Sequence, residues 1–119
     1  MHDLTNWIEA EVNHISSNEI IEICFNLYED GNDEWSLEIV GTNSFDMRDA
    51  DWACAEVYTT REHPYRWHQI TTWDKVLQEV REELIAYLQC DTKQAKKLVS
   101  YQGIGLGFVD GDMQILYHS

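Results

Sequence analysis

The sequence predicts an α+β domain, with a mainly antiparallel sheet of about five strands packed against a long central helix, as a single domain over residues 1–119. Three observations carry this. The stretch 71–89, TTWDKVLQEVREELIAYLQ, repeats apolar residues at three- and four-residue spacing. Segments on either side of it alternate apolar and polar residues with a period of two. Short turn-forming clusters, rather than long linkers, separate these segments. The predicted order is α-β-β-β-α-(α)-β-β.

A first helix is expected over roughly 3–16, where Leu4, Trp7, Ile8, Val12 and Ile15 share a face and Asp3 is placed to cap it. In EIIEICFNLYE, Ile21, Ile23, Phe25 and Leu27 alternate with Glu22, Cys24, Asn26 and Tyr28, a half-buried strand. Asp30, Gly31, Asn32 and Asp33 form a turn, and Trp35, Leu37 and Ile39 continue the alternation as the second arm of a hairpin. A polar loop carrying Asp46, Arg48, Asp49 and Asp51 leads into a third strand, WACAEVYT. There Ala53, Ala55 and Val57 are expected to face a helix, with Trp52, Cys54, Glu56 and Tyr58 on the other side. TREHPYRWHQI, which contains the one proline, reads as a loop.

In the central helix Trp73, Val76, Leu77, Val80, Leu84 and Leu88 form the buried stripe, while Asp74, Lys75, Gln78, Glu79, Arg81, Glu82 and Glu83 stay wet. A short helix with Lys93, Lys96, Lys97 and Leu98 follows, capped by Asp91 or Thr92 and ended by Gly103. GIGLGFV and MQILY, joined at Asp110 and Gly111, close the chain as a second hairpin.

Composition narrows the function. Twenty-two acids against eight bases give a net charge of −14. Residues 1–60 hold 14 acids and only Arg48 as a base, −13; residues 61–119 hold eight acids and seven bases, −1. Such a field repels nucleic acid and anionic lipid and attracts basic partners. No apolar run is long enough for a membrane span, and the start lacks the pattern of a secretory signal. Three widely spaced cysteines fit a reducing compartment, so a cytoplasmic location is expected.

No cofactor, metal or catalytic constellation is expected. His63 and His68 lack the paired spacings of a zinc site. Asp30, Asn32 and Glu34 begin like a calcium loop, but Trp35 and Gly41 stand where glycine and glutamate are required. Gly103, Gly105 and Gly107 lack the following helix and lysine of a phosphate loop; on one strand face they let a backbone or large group approach. Cys54, between two alanines, reads as a structural thiol.

DWACAEVY, WDKVLQEVREELIAYL and YQGIGLGFVDGDMQILY together resemble small immunity proteins of bacterial contact-dependent growth inhibition and related polymorphic toxin systems. The resemblance spans roughly residues 50–119 and lies in element order and the ending GFVDGDMQILY. It implies a cytoplasmic non-enzyme that binds and neutralises a cognate toxin domain. Its partner residues follow from charge instead. A nuclease-type toxin has a basic cleft, so an acidic surface with aromatic anchors is the expected contact. The candidates are Asp30, Asp33 and Glu34 in the first turn, Asp46, Asp49, Asp51 and Trp52 in the loop (the favoured site), and Tyr65 and Trp67 as further anchors, with Trp35 an aromatic candidate that equally fits the core. The basic segment 93–97 should stand apart from that interface. The rival expectations are a small enzyme using the loop histidines and carboxylates, and an acidic adaptor without a toxin.

Overall fold

The computed structural model describes residues 3–15, 19–43 and 56–118. Strands β1 (Glu22–Gly31) and β2 (Glu34–Thr42) form the predicted antiparallel hairpin. Its tip is Asn32 and Asp33, both at positive φ, 54° and 62°. Two consecutive left-handed residues make a type I′ turn, whose twist matches that of the strands it joins. Glu29 pairs with Trp35 and Gly31 with Glu34, so Asp30 is the extra residue of a bulge.

Strand β1 is not half-buried. Ile23, Phe25 and Leu27 fill the core on one face, yet Glu22 and Cys24 on the other are equally inaccessible. Met113 and Ile115 pack over Cys24 and Val40 on that face. Strand β5 (Gly103–Phe108) runs parallel to β1, Glu22 pairing with Gly103 and Leu27 with Phe108. The sheet is therefore mixed: four of its strand pairings are antiparallel, as expected, and this one is parallel. Parallel neighbours need a long crossover, and the chain between β2 and β5 supplies one.

That chain also holds two strands where one was expected. β3 (Glu56–Thr59) pairs with the end of β2, and β4 (Tyr65–His68) with its beginning. The segment read as a loop therefore contains β4. Thr60 extends the ladder: its N–H donates to Ile39 O at 3.0 Å, and its hydroxyl accepts from Ile39 N–H at 2.9 Å. Arg61 to Pro64 then loop out before Tyr65 resumes opposite Leu37. Tyr58 lies opposite Gly41, on the helix face of the sheet, which reverses its expected side. The stretch 51–55 of the predicted third strand, including Cys54, lies outside the described residues. With β6 (Gln114–His118) antiparallel to β5, six strands are ordered β3-β2-β1-β5-β6, β4 also pairing with β2. The element order is α-β-β-β-β-α-α-β-β.

Three helices supply the other side of the core: α1 (Leu4–His14), α2 (Trp73–Leu88) and α3 (Lys93–Leu98). Leu4, Ile8 and Val12 of α1, Val76, Val80, Leu84 and Tyr87 of α2, and Ala95 and Leu98 of α3 join one apolar cluster with the strand residues. The stripe of α2 is turned toward Tyr87. Leu77 and Leu88 are half-buried and Trp73 is 56% exposed; Trp73 and Leu77 line a cleft rather than the core. Asp3 precedes α1 without a side-chain cap. Thr92 does cap α3, its hydroxyl accepting from Ala95 N–H at 3.1 Å. Helix α3 ends at Leu98 with Val99 as its C-cap, whereas Gly103 already begins β5.

Lys97 has a structural task. Its ammonium donates to Val12 O at 3.2 Å and also to Ile15 O, satisfying carbonyls at the C-terminus of α1, where a cation suits the helix dipole. The second hairpin differs from expectation too. Gly111 N–H donates to Phe108 O, but pairing resumes only at Leu106 with Gln114, so the connection is longer than two residues. The glycines of β5 admit this connection. A Cβ on Gly107 would lie 2.6 Å from Asp112 O, and one on Gly105 would lie 2.9 Å from Met113 Sδ.

The burial of α2 has a direct measure. Leu84 is 1% exposed, so Leu84→Ala should cost about 2–5 kcal/mol in urea unfolding. Glu82, exposed on the same helix, should cost about 0.5 kcal/mol or less when changed to alanine. Equal midpoints for the two variants would contradict this placement of the helix.

Candidate functional site

The described surface holds three exposed large apolar residues, Ile70 (82%), Trp73 (56%) and Val109 (51%). Two of them line one cleft of about 620 Å³ where β1 and β5 end and α2 begins. Strand β1 contributes Tyr28, Glu29 and Gly31; the β5–β6 connection contributes Phe108 through Asp112; α2 contributes Trp73 and Leu77. Ile70 precedes Trp73 by three residues in the segment entering α2.

The floor of the cleft is an aromatic column. Trp35, 1% exposed, meets Phe108 edge-on at 6.2 Å, and Phe108 meets Trp73 edge-on at 6.2 Å and 88°. The column thus runs from the core to solvent through a half-buried phenylalanine. Gln69 fixes its inner end. Its carbonyl accepts from Trp35 Nε1 at 2.9 Å and its side-chain oxygen from Trp67 Nε1 at 3.0 Å. Its side-chain amide donates to Glu79 of α2 at 2.9 Å, and its N–H donates to Asp33 O at the hairpin tip. A single residue thereby ties the first turn, β4 and α2 around the column.

The rim is acidic. Glu29, Asp110 and Asp112 line the cleft, all exposed, and none of its described lining residues is basic. Asp30, Asp33 and Glu34 continue the charge along the hairpin tip, also exposed. The first predicted acidic segment thus adjoins the cleft. Asp46, Asp49, Asp51 and Trp52 of the other segment lie outside the described residues. Of the two further anchors, Trp67 is 8% exposed and belongs to the core, so it does not reach a partner. Tyr65 is half-buried between Trp7 and Trp67, at 5.8 and 5.5 Å. Trp73, assigned by its spacing to the buried stripe, is 56% exposed and reaches solvent.

A polar cluster occupies the sheet face away from the helices. Glu38, 1% exposed, lies opposite Asn26, and its carboxylate accepts from Tyr28 Oη at 2.5 Å and from Arg61 Nε at 3.2 Å. Arg61 also donates to Glu56 at 2.9 Å. Burial, and then the carboxylate, push the Tyr28 phenol up to about 12. Glu22, opposite Thr42, accepts from the Thr42 hydroxyl and from Cys24 Sγ at 3.7 Å, while its Oε2 is buried without a hydrogen-bond partner among the described residues. Burial holds its carboxyl near about 7, above the ordinary 4.5, against the smaller opposing effect of those hydrogen bonds.

The loop histidines do not converge. His63 Nε2 lies 3.1 Å from Glu11 Oε2 of α1, whereas His68 stands on β4 opposite Glu34. Among the described residues, no three histidine, cysteine or carboxylate side chains form a metal-binding group, and no helix is long and apolar enough to cross a membrane. The chain matches no protein-family model, curated protein or solved structure.

Glu22 makes stability pH-dependent. Because the folded chain holds this proton more tightly than the unfolded chain, the contribution is complete below about pH 4.5 and lost as pH rises through about 7. Glu22→Gln, which keeps the neutral shape, should therefore gain on the parent as pH rises. The gap should widen by about 2 kcal/mol between about pH 5.5 and about pH 8 in urea unfolding. A gap that stays constant would mean the carboxylate is already partnered in its charged form.

Proposed function

We propose that this chain is a binding protein of the immunity type, one that neutralises a basic bacterial toxin domain by covering it with an acidic surface. The observation that carries the reading is the acid-rimmed aromatic cleft between β1, α2 and the β5–β6 connection. Interfaces draw their affinity from a few aromatic anchors, while surrounding charge sets encounter rate and partner choice. Trp73 and Phe108 supply the first and six flanking carboxylates the second. The net charge of −14 extends the attraction to long range at low salt. The resemblance of DWACAEVY, WDKVLQEVREELIAYL and GFVDGDMQILY to immunity proteins of contact-dependent growth inhibition supplies the identity of the partner. On this reading the chain acts in the cytoplasm and neither performs catalysis nor needs a metal.

One arrangement favours a rival. Glu11, 7% exposed, sits beside His63, and its charge helps raise the Tyr58 phenol, after burial. A carboxylate, an imidazole and a phenol in a row are the parts of a proton relay. Their place at the junction of α1 with the β3–β4 loop equally suits a clamp holding that loop, and the cleft lies elsewhere.

The deciding experiment is co-purification with the product of the neighbouring gene, followed by stopped-flow association at several salt concentrations. Asp30→Lys with Glu34→Lys should slow association about tenfold or more at low salt and flatten its salt dependence. Asp33 is left unchanged, because its left-handed backbone suits aspartate better than lysine. Lys93→Glu with Lys96→Glu is the control, both residues being exposed on α3. Lys97 is excluded from it, since it caps α1. Slowing by the control alone would show that the partner is acidic at its contact surface and remove the reading.

A further inference from the structure

We infer that the cleft receives an arginine side chain of the partner, its guanidinium laid on the exposed face of Trp73 and paired with the carboxylates of Asp110 and Asp112. This deepens, and rests on, the reading of the chain as a binder of basic proteins. Charge and shape select the occupant together. The described lining combines aromatic rings, Trp73 and Phe108, with three carboxylates and no cation. The nearest base in sequence to Trp73 is Lys75, which is not part of the lining. An aliphatic or aromatic ligand alone would leave the carboxylates without use, and an anion would be repelled.

Among cations, the guanidinium fits better than an ammonium. It is planar, weakly hydrated and stacks on indole, and its fork of N–H donors meets a carboxylate in two parallel bonds. Trp73 already packs perpendicular to Phe108 and is still 56% exposed, so its ring is braced by that contact while much of it stays open to a partner. The cleft is also larger than one guanidinium needs. Leu77 and Val109 line its remainder and match an aliphatic residue next to the arginine. The expected epitope is therefore an exposed arginine beside a leucine, isoleucine or valine.

The test uses the full chain and short capped peptides, acetyl-Gly-Leu-Arg-Leu-Gly-amide and its lysine and citrulline counterparts. Binding is read by tryptophan fluorescence and by amide and indole chemical shifts. The arginine peptide should shift the Trp73 indole and the amides of residues 108–112. The lysine peptide should bind more weakly, and the citrulline peptide, isosteric but neutral, about tenfold more weakly or less. Trp73→Ala should remove binding, Trp73→Phe should restore part of it, and Asp110→Asn with Asp112→Asn should bring the arginine peptide down to the level of citrulline. Both aspartates are exposed, so their double variant should keep the parent's unfolding midpoint, and Trp73→Phe, which keeps a ring beside Phe108, separates lost stacking from the packing lost in Trp73→Ala. Equal binding of arginine and citrulline peptides, shifts located elsewhere, or no shift at millimolar peptide would each overturn the assignment. Association with the toxin domain that survives Trp73→Ala would sink the cleft but leave the proposed function standing. Arginine-specific binding in the cleft without any toxin partner would do the reverse.

Discussion

Strand β1 is hydrogen-bonded along both edges, antiparallel to β2 and parallel to β5, and its first half is buried on both faces. Neither neighbour can slip by one residue without a large penalty. A slip would move Ile23, Phe25 and Leu27 out of the helix-side core and drive the Glu22 carboxyl into it. The same register aligns everything beyond. It brings Glu38 opposite Asn26 and beside Tyr28, and it ends the pairing of β1 with β5 at Leu27 and Phe108, from where β1 runs on alone with β2 to Gly31. Val109 N–H still donates to Leu27 O at 3.1 Å, so the β5–β6 connection leaves the sheet from a fixed point.

The cleft opens where that pairing stops, between the last residues of β1 and the connection that follows β5. In the first turn of α2 Val76 is buried while Trp73 is 56% exposed and lines the cleft. Phe108, last in β5, fills the step between Trp73 and the buried Trp35. Rigidity comes from Gln69, whose four hydrogen bonds hold hairpin, edge strand and helix together at the inner end. An exposed aromatic backed in this way loses little freedom when it is covered, which is the property of an anchor residue.

Local pairings and helices leave patterns in the sequence, and non-local pairings do not. The hairpin of β1 and β2, the three helices and the packing use of Gly105 and Gly107 follow from patterns within a few residues. Parallel pairing of β1 with β5 leaves no such pattern, because partners about 80 residues apart impose no turn chemistry. Strand β4 is four residues long and follows proline, so its alternation of Tyr65 and Trp67 with Arg66 and His68 was too short to outweigh the loop signals. Glu22 and Glu38 were placed on a wet face, since period alone distinguishes sides but not whether a side is covered. At the site, the hairpin acids were legible from charge. Dividing the charge by halves of the sequence hid Asp110 and Asp112, which lie in the nearly neutral half, and helical spacing alone put Trp73 inside.

The two borders of the sheet are both irregular. On one, the loop from Arg61 to Pro64 divides the outer row into two four-residue pieces. On the other, β6 is five residues long and skips Leu116 where Ile104 pairs with Tyr117 and Gly105 with Ile115. Among the described residues, neither border offers another molecule a long flat template of unpaired amides. A chain made this way can carry a high fraction of β-branched and aromatic strand residues without seeding fibrils. That protects a protein whose charge repulsion fades as acidity approaches its isoelectric point of about 4.4.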